Sequence, residues 1–228
     1  MRPRQNKETR AHEILAIAVV SALIITTAAI LHKTTNDSFN QITGAVLSTV
    51  NISPLAAQPC NFTAQPGLNL VSFFCITYET PLADVVENIT QLAAIFEYEE
   101  GQADPWKVYN PDLPSWVVQD LETLSRTEGY WLDMKSSEQV IVSGGLRIPT
   151  NIPLVPGWNL VGYPTNETKS RNISFLTISG NFTEVRGFNN TNKVFINYIP
   201  PSSGGLLYTR PNEGYWINIT ATEVWIVD

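Results

Sequence analysis

Carboxylates are the only side chains in this sequence dense enough to suggest catalysis or metal binding. Residues 60–150 hold thirteen acidic and four basic side chains, a net of −9, whereas residues 151–228 hold five of each. The acids crowd at Glu97, Glu99, Glu100 and Asp104. Ca²⁺ takes about six to eight hard oxygen ligands, and such a run supplies several. The spacing matches no EF-hand, so a solvated acidic loop is the competing reading. A glycosidase works with two carboxylates, but nothing in the sequence singles out a pair. Other catalytic chemistries lack their residues. The two histidines, His12 and His32, flank an apolar run, and none follows His32. That removes Ser-His-Asp and Cys-His arrangements and His-ligated zinc from everything beyond it. No P-loop, dinucleotide fingerprint or Gly-x-Ser-x-Gly is present. The expectation is a protein that is not an enzyme and has no cofactor, with Ca²⁺ at the acidic run as the one alternative.

Asparagine carries a second chemistry. Nine residues stand in Asn-x-Ser/Thr: Asn36, Asn51, Asn61, Asn88, Asn166, Asn172, Asn181, Asn189 and Asn218. The composition would give about three by chance. Asn36 lies close behind an apolar run, and Asn88 falls on a predicted helix. The expected acceptors are therefore Asn51, Asn61, Asn166, Asn172, Asn181, Asn189 and Asn218. Glycosylation implies export, and export lets the only two cysteines, Cys60 and Cys75, pair. The bridge would close a loop of about 15 residues, worth about 3 kcal/mol in the chain-entropy picture.

The elements that would hold these groups outside a cell begin at the N-terminus. Residues 1–12 carry Arg2, Arg4, Lys7 and Arg10 against Glu8. The uncharged run Ile14–Leu31 follows, about 27 Å long as a helix, close to a hydrocarbon core of about 30 Å. A basic flank ahead of an apolar span puts the N-terminus in the cytoplasm and the rest outside. An uncleaved signal-anchor over 13–32 is the preferred reading. Cleavage near Thr27-Ala28-Ala29 is an alternative. A stalk, 33–59, comes next, and Ser38–Val50 could continue as an amphipathic helix through Phe39, Ile42, Val46 and Val50. With few bases, no basic face points to nucleic acid.

Self-comparison then organises the remainder. Pro66-Gly67-Leu68-Asn69-Leu70-Val71 matches Pro156-Gly157-Trp158-Asn159-Leu160-Val161, and Glu128-Gly129-Tyr130-Trp131 matches Glu213-Gly214-Tyr215-Trp216. Trp106–Pro111 parallels Phe195–Pro200, and Glu138 with Ile141-Val142 parallels Glu223 with Ile226-Val227. The chain is a tandem duplication, repeat one over 60–148 and repeat two over 149–228. Each copy reads as a strand after a Pro-Gly turn (69–74; 159–163), then a helical or loop-like stretch. An aromatic strand (106–109; 194–199), the Gly-Tyr-Trp strand and a final Val/Ile strand complete it. In copy one, Val85, Ile89, Leu92, Ala93 and Phe96 fall at helical spacing. They predict a helix over 85–96, with Thr80 as N-cap and Pro81 opening it. Copy two has a shorter counterpart at 173–178. The fold class expected is mainly β with minor helix: a transmembrane helix followed by two sandwich or small-barrel repeats. Repeated Trp and Tyr read as core. Trp116, without an aromatic match in copy two, reads as an exposed contact.

The Gly157-Trp158-Asn159-Leu160 strand, followed by Gly214-Tyr215-Trp216, resembles a β-rich repeat of secreted and surface-anchored proteins of archaea and bacteria. The resemblance covers 66–228 and departs at Leu68, where the motif has Trp. It implies architecture and carries no catalytic residues. The N-terminus is similar to archaeal type IV pilins, with Arg10-Ala11 before the apolar run, but Glu13 sits second after that junction where pilins have Glu fifth. The expected function is a membrane-anchored, N-glycosylated surface protein, structural or adhesive, whose partners are the membrane through Ile14–Leu31 and an envelope polymer or other surface proteins. A pilin-like filament subunit and a calcium- or carbohydrate-binding surface module are the alternatives.

Overall fold

The computed structural model describes residues 57–228 except Ser115, Arg147, Ser202 and Ser203. The basic tail, the apolar run, the stalk as far as residue 56, and Asn36 and Asn51 lie outside the described residues. What is described belongs to one compact unit, Leu55–Asp228. It is mainly β with little helix.

The first repeat runs β1 (Cys60–Ala64), β2 (Gly67–Val71), β3 (Thr80–Pro81), α1 (Leu82–Val86), β4 (Leu92–Tyr98), β5 (Trp106–Tyr109), β6 (Thr123–Leu124), β7 (Tyr130–Met134) and β8 (Glu138–Val142). The second runs β9 (Thr150–Leu154), β10 (Gly157–Val161), β11 (Lys169–Ser170), α2 (Arg171–Ser174), a 3-10 turn (Leu176–Ile178), β12 (Phe182–Asn189), β13 (Val194–Tyr198), β14 (Tyr208–Thr209), β15 (Tyr215–Ile219) and β16 (Glu223–Val227). Each repeat builds a four-stranded antiparallel sheet, ordered β2-β7-β4-β5 and β10-β15-β12-β13. Each adds two ribbons, β1-β8 with β3-β6, and β9-β16 with β11-β14. The duplication in sequence is thus a duplication in topology.

The repeated Pro-Gly-x-Asn has a local cause. Gly67 and Gly157 sit at φ +75° and +106°, in the left-handed region glycine tolerates. The buried Asn69 carboxamide accepts from Gln65 N at 2.8 Å and donates to the Gln65 and Gly67 carbonyls, both at 2.7 Å. Asn159 repeats the pattern on Val155 and Gly157. One side chain satisfies the turn and fixes how each sheet begins.

The predicted helix over 85–96 is not formed. Helix α1 ends at Val86, and Leu92–Tyr98 is the strand β4, paired on both sides with β7 and β5. Between the two, Glu138 holds the turn into β4 by accepting from the backbone N–H of Thr90 at 3.1 Å and of Gln91 at 2.9 Å. The seven residues beyond gain ladder bonds along two edges. Helical spacing arose because Val85 and Ile89 pack from a helix and a turn, while Leu92 and Ile95 pack from a strand bulged between Leu92 and Ala94. Thr80 is no N-cap: it pairs with Leu124, and Pro81 takes the cap position without a side-chain bond. In copy two the short helical stretch occurs as α2 and the 3-10 turn.

Each repeat has its own core. In the first, β1, β8 and α1 close over the inner sheet face through Phe73, Leu82, Ile95, Leu132 and Val140. The Cys60–Cys75 disulfide is formed at the edge of that core, with Cα atoms 5.5 Å apart. In the second, Trp225 fills the middle, stacked with Tyr163 and donating its indole N–H to the Ser174 carbonyl at 2.6 Å.

Candidate functional site: two clefts at the seam between the repeats

The two sheets meet through reciprocal contacts. Val71 bridges Glu213, and Val161 bridges Glu128. Ser72 N donates to the Asn212 carbonyl at 3.0 Å, and Gly162 N to the Thr127 carbonyl at 2.8 Å. The glycine of each Gly-Tyr-Trp exists for this approach. A Cβ on Gly129 would stand 2.8 Å from the Val161 carbonyl oxygen, and one on Gly214 would stand 2.8 Å from that of Val71. The β12–β13 hairpin closes the seam further: Asn190 bonds both backbone groups of Leu70, and Lys193 Nζ donates to the Leu68 carbonyl at 2.7 Å.

The repeated aromatics divide by face. Tyr130 and Tyr215 point inward and are fully buried, as core residues. Trp131 and Trp216 are not core. Alternation along the strand puts them on the outer face, where each clasps the other repeat. Trp131 meets Phe188 and Phe195 at 5.0 and 6.0 Å, and Trp216 meets Tyr98 and Trp106 at 4.9 and 6.2 Å. A cleft of about 410 Å³ runs along this clasp, lined also by Trp158 and Arg186. The Arg186 guanidinium lies 4.4 Å over the Trp158 ring and bonds Glu184 through two oxygens, at 2.7 and 3.0 Å. Those bonds hold the Glu184 carboxyl below its ordinary range. Trp106 and Phe195 are about half exposed.

The second cleft, about 650 Å³, is acidic. Glu79, Asp120 and Glu122 stand exposed at its rim, with Glu99 and Glu100 further in. Glu97 and Glu128 are the deepest. Burial pushes the Glu97 carboxyl up to about 7, and the neighbouring Glu128 adds to the shift. Burial likewise raises Glu128 to about 7, with Glu99 contributing. Among the described residues Lys107 is the only cation lining this cleft, and it is paired with Glu99.

The acidic run is therefore not a solvated loop at Glu97. That residue is on β4, 8 % exposed, facing Tyr130. Three of the four predicted calcium ligands, Glu97, Glu99 and Glu100, line this cleft, each with its own surroundings. Glu97 points inward, Glu99 bonds Lys107, Glu100 accepts from the Tyr98 hydroxyl at 2.8 Å, and Asp104 does not line the cleft. Among the described residues no three acidic, histidine or cysteine side chains are arranged to hold a metal ion. Glu128 was missed in the sequence, although its repetition as Glu213 marked it as structural at the least.

Trp116 stands 81 % exposed and lines neither cleft. Asn61, Asn166 and Asn172 are exposed, and Asn181, Asn189 and Asn218 are half-buried. Asn88 is exposed too, in the turn after α1, so the helix that argued against it does not reach it. Among the described residues no helix is long and apolar enough to cross a membrane; Ile14–Leu31 lies outside them. No protein-family model, no curated protein and no solved structure matches the chain.

Proposed function

We propose that the chain is a single-pass, membrane-anchored and N-glycosylated surface protein, with no enzymatic activity, whose paired repeats serve a structural or adhesive role outside the cell. One observation carries this reading. Seven of the nine sequons fall on the described body, and four of their asparagines, Asn61, Asn88, Asn166 and Asn172, are exposed. A disulfide in the same body suits an oxidising exterior. Ile14–Leu31 would anchor it, with the N-terminus inside. The reciprocal seam supports a mechanical part, since two repeats locked along their edges transmit load as one body. Protease treatment of intact cells tests the topology. The repeats are expected to be released or digested while a basic N-terminal fragment stays with the membrane. A chain fully protected until lysis would contradict it.

The aromatic cleft favours a second reading, in which the ectodomain also binds carbohydrate. Indole faces accept the apolar side of a sugar ring, and the Arg186–Glu184 pair offers fixed donors and acceptors beside them. Affinity electrophoresis in gels cast with envelope polysaccharide tests it. Retardation that Trp106→Ala abolishes supports the reading, and unretarded migration of both proteins removes it.

A further inference from the structure

The acidic cleft lies where the chain can least absorb charge. The Thr127–Gly129 segment is pinned against the second repeat by the Thr127 carbonyl, the Glu128–Val161 bridge and Gly129 N, which donates to the Leu160 carbonyl at 3.3 Å. There is no slack, because the Gly129 Cα already lies against the Val161 carbonyl. The half-buried Glu128 lines the cleft directly behind this contact, and the buried Glu97 faces the same space from β4. The groups around them offer little compensation. From β5, Lys107 faces Glu97 but is held by Glu99. From β7, Glu97 meets the Tyr130 hydroxyl, which burial keeps protonated well above its ordinary range. Thr127 donates to Glu128 at 3.2 Å. The guanidinium of Arg126 is directed to Thr150 and the Pro164 carbonyl, away from the cleft. The second repeat's wall, Ile152, Pro153, Val155 and Asn159–Val161, carries no ionisable group.

We propose that this half of the seam is a proton-operated latch, closed while Glu97 and Glu128 hold their protons and loosened when both ionise. Ionisation puts two negative charges beside each other and beside Glu99, in a site that must then admit water. Those charges are hydrated more fully if Thr127–Gly129 moves away from Leu160–Gly162 and the cleft between them widens. The closed-state carboxyls titrate near 7, against an ordinary value of 4.5 in the open state. Closing therefore takes up protons. The latch is fully held below about pH 4.5 and is lost as pH rises through 7.

The reciprocal half of the seam is a built-in control. Glu213 is also raised by burial, but it accepts from the Tyr215 hydroxyl at 2.7 Å and faces Arg210 at 3.8 Å. At the position of Glu97 stands Gly187, with Leu206 and Tyr215 packed against it. The second repeat has one acid with a counter-ion where the first has two without a free one.

Hydrogen–deuterium exchange of the full chain in detergent tests the latch, at pH 5.5 and 8.5, corrected for intrinsic amide rates. Peptides covering 127–130 and 157–163 are expected to lose protection at pH 8.5 by about tenfold or more, since one such carboxyl alone gives roughly thirtyfold. Peptides covering 70–73 and 212–215 are expected to lose markedly less. Equal protection at both pH values, or equal loss in both halves, overturns the proposal. Glu97→Gln with Glu128→Gln is expected to keep the first half protected at pH 8.5. If that variant does not fold, the wild-type comparison of the two halves still decides.

Discussion

The two repeats carry one topology and fill it differently. Cys60 and Val142 pair across β1 and β8, and Thr150 and Val227 pair at the same place in β9 and β16. Where the first repeat has its disulfide, the second has the buried Thr150 and Thr165. Where the first has Val140 in its last strand, the second has Trp225. One core is covalently stapled; the other is filled around a large ring. What both copies keep is the skeleton: a glycine turn, an asparagine satisfying it, an inward Tyr, an outward Trp and a glycine at the seam. The fold depends on those few positions, and the space inside them can be filled in more than one way at native density.

Breaking each filling separately tests that comparison. Trp225→Ala should have the largest effect, about 3–5 kcal/mol by urea unfolding, because a fully buried indole leaves a cavity and an orphaned carbonyl at Ser174. Removing the disulfide by Cys60→Ala with Cys75→Ala should cost about 3 kcal/mol in the same assay. If the repeats unfold together, both changes move a single transition. Two separated transitions would show that the seam does not couple them.

The shared skeleton should respond alike in both copies. Asn69→Ala and Asn159→Ala each leave turn groups without partners and should cost about 1–3 kcal/mol, with similar values for the two. A cost in one copy alone would mean that the turn matters to only one repeat. Trp116→Ala should have the smallest effect, within about 0.5 kcal/mol, since the residue is 81 % exposed.

Much of this was legible because it is local. Pro-Gly turns, the Trp106–Tyr109 strand and the Gly-Tyr-Trp strands follow from turn chemistry and alternating residues, and duplication showed each pattern twice. Strand β4 was not, because a helix, a turn and a bulged strand in succession place apolar residues at helical spacing. The alternation Ala94, Phe96 and Tyr98 against Ile95 and Glu97 was the available signal. The clefts were not legible either, because they form between copies. Glu97 could be recognised as buried only once β4 lay against β7, and Trp131 as a clasp only once Phe188 of the other repeat stood across from it.

The central claim is that this body stands outside the cell, oxidised and glycosylated. Peptide mapping by mass spectrometry, without reduction, of protein taken from the native membrane fraction tests it most directly. The account predicts a linked Cys60–Cys75 peptide and added glycan mass on peptides bearing Asn61, Asn88, Asn166 or Asn172. Free thiols at both cysteines, with all seven mapped sequons unmodified, would contradict it.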